Sequence, residues 1–265
     1  MKFLLQVLLA FVLLSSCTSK LGKVLKSKDN DYKLKMAEQY YVQKKYSMAQ
    51  QVFEDIMPYF RGSDKYEDMF YKYAYCSYYM KDYLNSENLF KTFIENFPNS
   101  THVEECDYMR SYSYYKQSPK IDLDQTATSK TISLMQAFIN THPQSPRNKE
   151  ATEIIDICRQ KLEAKEYNSA QLYYNLGYYK SAAVAFTSLM ENYPDSDKSD
   201  EYKLIVIKSY YKYAEQSVTD KQQERYEKVL SECADFTERF SSSKLIDEVN
   251  NFKTLSVTNI KNLPK

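Results

Sequence analysis

Apolar residues recur every three or four positions over most of the chain, which is the period of an amphipathic helix. The helical runs are cut by three closely similar stops: "IENFPNSTHVEE" (residues 94–105), "INTHPQSPRNKE" (139–150) and "MENYPDSDKSDE" (190–201). Each has an aromatic ring or histidine before a proline that forbids continuation, then a small polar residue suited to starting a helix. Thr101 with Glu104 makes a capping-box pattern in the first of them.

The stops give a common frame. Ala74 and Ala170 each lie 24 residues before the proline, and Tyr83 and Tyr179 each lie 15 before it. Phe90 and Phe186 lie 8 before, and Phe93 and Leu189 lie 5 before. A shift of 37 residues toward the N-terminus brings up Ala37, Tyr46, Ala49, Phe53 and Ile56, with Arg61 and Gly62 where the proline turn would be. This resembles the tetratricopeptide repeat, in which small residues let two helices approach and aromatics fill the wedge beside them. The expected fold is all-α, a right-handed tetratricopeptide-repeat α-solenoid of about five helix pairs plus a C-terminal helix. Repeats three and five are longer. With Ser111 and Ser209 as their small helix-A residues, "QSPKIDLDQ" (117–125) and "SVTDKQQE" (217–224) read as inserted loops. Residues 146–177 read as one long helix with Ile154, Ile155, Ile157, Cys158 and Leu162 as its apolar stripe. Residues 243–262 read as a terminal helix closing the open end of the array.

The N-terminus follows different rules. Lys2 precedes the apolar run "FLLQVLLAFVLL" (residues 3–14), too short to span a bilayer, and "SSC" follows. Residues 1–16 are expected to be a signal peptide. The string "LLSSC" resembles the lipobox of bacterial lipoproteins, which implies cleavage before Cys17 and its acylation, palmitate included. An ordinary signal peptide containing a cysteine is the other reading. Residues 17–31 then form a lipidated, basic tether, expected to be disordered. Residues 32–145 hold repeats one to three, and residues 146–265 hold repeats four and five with the terminal helix.

Composition narrows the chemistry. The 265 residues carry 36 basic and 35 acidic side chains, so no charge-driven attraction to nucleic acid is expected. Three isolated glycines cannot write a phosphate-cradling loop. No metal-binding or nucleophile–base motif occurs, and no enzyme, cofactor or metal is expected. His102 and His142 sit at inter-repeat turns and read as structural. The carboxylates of "VEECD" (103–107) suit the positive end of a helix dipole. Cys76, Cys106, Cys158 and Cys233 stand among apolar neighbours and read as small buried side chains; in an exported chain a disulfide is the alternative.

Tyrosine is the excess: 27 copies, beside 13 Phe and no Trp. By the repeat frame, helix A of repeat two presents Asp68, Tyr71, Tyr75, Tyr78 and Tyr79 to the concave side. Helix A of repeat three presents Glu105, Tyr108, Tyr112, Tyr115 and Lys116. Each tyrosine alone reads equally as packing. As a cluster, Tyr71, Tyr75, Tyr78, Tyr79, Tyr108, Tyr112 and Tyr115 read as a peptide-binding groove, offering broad contact with little rotamer entropy and hydroxyls for a guest backbone.

Lipobox, tether, five repeats, "DYMRSYSYYKQS" (107–118) and "LEAKEYNSAQLYY" (162–174) together resemble the BamD family of outer-membrane β-barrel assembly lipoproteins. The resemblance implies a lipid-anchored protein on the periplasmic face of the outer membrane. It implies two partners: the periplasmic domains of an Omp85-type barrel insertase, met by the C-terminal half, and unfolded outer-membrane β-barrel proteins, whose signal strand is met by the N-terminal half. The region past Leu245 matches little of the family. A general periplasmic repeat scaffold and a glycan-binding outer-membrane lipoprotein are the alternatives, the second weakened by the missing tryptophan.

Overall fold

Burial repeats with the stops. Twelve residues before each stop, Ala49, Ser86, Thr131, Ala182 and Val229 are fully buried. Eight before, Phe53, Phe90, Met135, Phe186 and Cys233 are buried; five before, Ile56, Phe93, Phe138, Leu189 and Phe236 are as well. One helix face is therefore apolar in every repeat and has to be covered by its neighbours. The computed structural model describes residues 20–264. The expected signal peptide (1–16) and Cys17, the expected acylation site, lie outside the described residues.

Eleven long helices follow one another: α1 (Asn30–Val42), α2 (Tyr46–Phe60), α3 (Lys65–Tyr79), α4 (Tyr83–Asn96), α5 (Val103–Gln117), α6 (Thr126–Thr141), α7 (Asn148–Asn175), α8 (Tyr179–Asn192), α9 (Ser199–Glu215), α10 (Thr219–Arg239) and α11 (Ile246–Lys261). No strand occurs among the described residues. The pairs α1/α2, α3/α4, α5/α6, α7/α8 and α9/α10 are the five repeats of a tetratricopeptide-repeat solenoid, with α11 after them. The turn inside the pair places Lys44, Lys81 and Gly177 at one repeat position, and all three have positive φ (59°, 65° and 79°). Gly62 (φ 85°) makes the turn that proline makes elsewhere.

The described residues divide into two compact units, 20–158 and 159–264, and the boundary falls inside α7. In the first unit, residues 151–158 of α7 close a core built from α3 to α6. Ala151, Ile154, Ile155 and Cys158 join Phe90, Phe93, Met135 and Phe138 there. Ile157, expected in that stripe, is exposed because it lies about 110° around the helix from the stripe's centre. In the second unit, Tyr167 and Ala170 of α7 pack with Phe186, Leu189 and Tyr202. A further core joins α9, α10 and α11 through Ile207, Tyr226, Phe236 and Val249.

Other expectations also need correction. The segment expected to be a disordered tether is ordered over its described part. Residues 20–25 are helical, and Leu21, Val24 and Leu25 share one face that packs on α1 and α2. Val24 is only 2% exposed. The insertion of repeat three is a loop at residues 118–125, as its proline and polar residues suggest. That of repeat five is not: residues 219–224 begin α10, and the added residues lengthen a helix of 21 residues. Its composition, rich in Gln, Glu and Lys, favours helix over loop. The capping box of Thr101 and Glu104 is not formed, since α5 has His102 as its N-cap, without a side-chain cap.

Glu104 and its equivalents are engaged otherwise. Two residues after each stop stands a serine: Ser63, Ser100, Ser145, Ser196 and Ser243. Ser100 Oγ donates to Glu67 (2.5 Å), Ser145 to Glu104 (2.6 Å), Ser196 to Glu163 (2.5 Å) and Ser243 to Asp200 (2.6 Å). Each of these serines also accepts the backbone N–H two residues on. The serine that opens one repeat thus holds helix A of the repeat before, at its first turn through Glu67, Glu104 and Asp200 and in mid-helix through Glu163 of the long α7. Asp200 lies seven residues before Ile207, as Glu67 lies before Ala74. Ile207, not Ser209, therefore holds the small-residue position in repeat five. Ser63 has no acid in that place and donates to the Phe60 carbonyl (2.7 Å). Ser196→Ala is expected to cost about 1–2 kcal/mol, because a hydrogen bond to a charged acceptor is lost. Ser63→Ala should cost less than about 1 kcal/mol. Urea midpoints of the two variants check this, and equal shifts would contradict the clamp.

Candidate functional site

Helices α3 and α5 lie in the first unit, and a row of aromatic rings runs along both. Tyr46 stacks on Tyr79 (4.5 Å between centroids), and Tyr79 meets Tyr75 (5.6 Å). Tyr75 touches Tyr71 (4.9 Å) and Tyr78 (6.3 Å). Tyr78 reaches α5 at Tyr112 (6.3 Å), which stacks on Tyr108 (5.6 Å) and contacts Tyr115 (5.7 Å). All seven tyrosines singled out by the repeat frame therefore join one continuous network. Residues spaced three and four apart share a helix face, which is why the spacing alone could gather them.

They do not share one role. Tyr75 and Tyr108 are 7% and 2% exposed and belong to the core. Neither can offer its ring to a ligand, which corrects their place among the groove residues. Tyr79 is 45% exposed, and Tyr71, Tyr78, Tyr112 and Tyr115 are half-buried. Tyr41 and Tyr46 extend the row into repeat one. Neither is among the expected groove residues: the 37-residue shift maps Tyr41 onto Tyr78, whereas Tyr46 falls on the frame position of Tyr83.

Glu105, in the first turn of α5, ties the row together. Its carboxylate accepts the Tyr71 hydroxyl (2.9 Å), the Tyr75 hydroxyl (2.6 Å) and Arg147 Nη2 (3.3 Å). The Arg147 guanidinium also lies over the Tyr108 ring (4.6 Å), and His102 stacks on Tyr71 (4.3 Å). His102 is thus a structural ring in this site. Sequence reasoning did not find Arg147; its sole signal is a basic residue two places after a turn serine. Burial opposes the charge on Glu105, but the tyrosine hydrogen bonds and Arg147 outweigh it and lower its pKa. Burial, with the Glu105 charge, raises Tyr75 and Tyr71 well above the usual phenol range, so both stay neutral donors. Burial also raises Tyr78. At the α5 end, Lys116 Nζ lies 4.8 Å from the Tyr112 ring and 5.9 Å from that of Tyr115.

The result is a prearranged surface. The hydroxyls of Tyr71 and Tyr75 are already used internally, whereas Tyr78, Tyr79, Tyr112 and Tyr115 keep ring surface in reach of solvent. Because the folded pKa of Glu105 lies below its ordinary 4.5, its stabilising effect is present above pH 4.5 and lost as pH falls through the folded value. Acid unfolding of the wild type should therefore be steeper below pH 4.5 than that of Glu105→Gln. Glu105→Ala, which leaves the buried Tyr75 hydroxyl without its acceptor, should cost about 1–3 kcal/mol at about pH 7. Equal acid sensitivity of wild type and Glu105→Gln would contradict the assignment.

The cysteines play no part in this surface. All four are buried, and Cys76, Cys106 and Cys233 are free thiols. Burial pushes Cys76 up to about 12 and Cys233 up to about 11. Among the described residues, no group of three or more His, Cys, Asp or Glu could hold a metal ion. No described helix is long and apolar enough to cross a membrane.

Residues 27–226 match the family described as "YfiO: Outer membrane lipoprotein", three quarters of the chain. The chain belongs to this YfiO family of outer membrane lipoproteins. It is the BamD-like family that the repeats and the lipobox resemble. No curated protein matches the chain. Among solved structures, the TPR2AB-domain:pHSP90-complex of yeast Sti1 is 10% identical, over 86% of this chain and 98% of that one, with a TM-score of 0.39. TTC0263, a thermophilic TPR protein in Thermus thermophilus, is 12% identical over 87% and 100%, with a TM-score of 0.34.

Proposed function

We propose that this YfiO-family protein is a non-enzymatic component of the outer-membrane β-barrel assembly machinery, anchored through acylated Cys17 on the periplasmic face. The tyrosine surface of repeats one to three receives the signal strand of unfolded barrel proteins. The half of the chain from repeat four onward binds the periplasmic domains of an Omp85-type insertase. The observation that carries the reading is the family match over residues 27–226. The tyrosine row supports the substrate role. An extended strand presents alternate side chains to one face and its backbone to polar groups, and half-exposed tyrosines supply both kinds of contact. Such a site favours reversible binding, as a guest that must be passed on requires.

Affinity purification of the lipidated protein from detergent-solubilised envelopes tests the partner. An Omp85-type protein should co-purify in near-stoichiometric amount. Recovery of other envelope proteins without it would favour a general periplasmic scaffold instead.

A further inference from the structure

Residues 20–28 read "KLGKVLKSK", with lysines at 20, 23, 26 and 28 and no acid before Asp29. The helical turns at residues 20–25 sort these side chains. Leu21, Val24 and Leu25 pack inward on α1 and α2, while Lys20 and Lys23 face solvent. Between this segment and α1 lies a cleft of about 320 Å³. Lys20 and Lys23 line it on one side, Tyr32, Gln39 and Gln43 on the other, and Lys45 from the turn after α1. No carboxylate lines it, and among the described residues none of the three lysines forms an ion pair with a carboxylate. Tyr32 is 42% exposed. Cationic tips and an amphipathic ring are what a headgroup region accommodates.

Chain length sets what can cover this face. Lys20 follows Cys17 by three residues, at most about 10 Å of extended backbone. On the reading of Cys17 as acylated, the cleft cannot leave the neighbourhood of the bilayer surface. We propose that this lysine-lined cleft docks on the membrane itself, binding the phosphate of anionic lipid headgroups. The acyl anchor and the basic face then act as two membrane signals on one end of the first unit. The docking orients the N-terminal repeats relative to the bilayer, beyond merely tethering them.

The test uses the full mature chain carrying Cys17→Ser, so that no acyl chain contributes, and vesicle flotation. Vesicles of phosphatidylcholine with about 30% phosphatidylglycerol should bind it at least about tenfold more tightly than phosphatidylcholine alone, with the difference lost in high salt. Lys20→Gln with Lys23→Gln and Lys45→Gln should weaken that binding at least about tenfold. Lys91→Gln with Lys130→Gln and Lys149→Gln, an equal charge change elsewhere in the same unit, should not. The proposal is overturned if wild type ignores anionic vesicles, if the cleft variant binds like wild type, or if both triple variants weaken alike. The N-terminal mass of the native chain reports acylation of Cys17 separately.

Discussion

Lys203→Ala is expected to destabilise the second unit by about 3–5 kcal/mol. Lys203 projects from α9 with its side chain 8% exposed. Its ammonium meets Glu232 of α10 at 2.5 Å and also pairs with Asp235 one turn on. Lys228 adds a second cation to Glu232 at 2.6 Å. Burial opposes ionisation of Glu232, but the two lysines outweigh it and lower its pKa. Removing Lys203 leaves a largely buried carboxylate held only by the more exposed Lys228, and a cavity where the alkyl stem lay; breaking a buried pair on one side costs about that much. Lys203→Met together with Glu232→Leu should recover most of the loss, because no charge is then stranded. Urea unfolding monitored by circular dichroism measures all three. A single variant within about 1 kcal/mol of wild type would show that water reaches the pair.

The second large effect concerns binding. Tyr78→Ala with Tyr79→Ala and Tyr112→Ala should weaken a C-terminal barrel-strand peptide by about 10–100-fold, since interface tyrosines cost about 1–2 kcal/mol each on truncation and do so non-additively. These three combine ring exposure with contact across α3 and α5. Tyr75→Ala is the contrasting variant. Its ring is core, so it should lower stability first, and any affinity change should follow the loss of folded protein. Fluorescence anisotropy with the labelled peptide, beside thermal unfolding of each variant, separates the two. Unchanged affinity in the triple variant would remove the tyrosine row from substrate recognition.

The separation of Tyr75 and Tyr108 from the other rings marks where sequence periodicity ends. A repeat frame says which residues share a helix face. It does not say how deeply the next repeat covers that face, and Tyr108 is covered by Phe138 and Arg147 from elements that follow it. Helix pairs, the loop of repeat three and the length of α7 were legible, because each depends on local periodicity and on proline. The order of residues 20–25 was less so. Three apolar residues on one short face gain nothing until α1 and α2 supply a surface. The serine clamps were also hidden. A serine after a proline reads as a helix cap, and only the approach of the preceding repeat brings a carboxylate within reach of its hydroxyl. Their return at every stop with an acid in place explains why that punctuation recurs: it joins repeats as well as ending helices.

The most direct measurement of the central claim is the steady-state level of outer-membrane β-barrel proteins after depletion of this protein. Quantitative proteomics of purified outer membranes should show barrel proteins falling together, with unfolded forms accumulating in the periplasm and unrelated lipoproteins unchanged. Barrel proteins held at their normal level after depletion would contradict a role in barrel assembly.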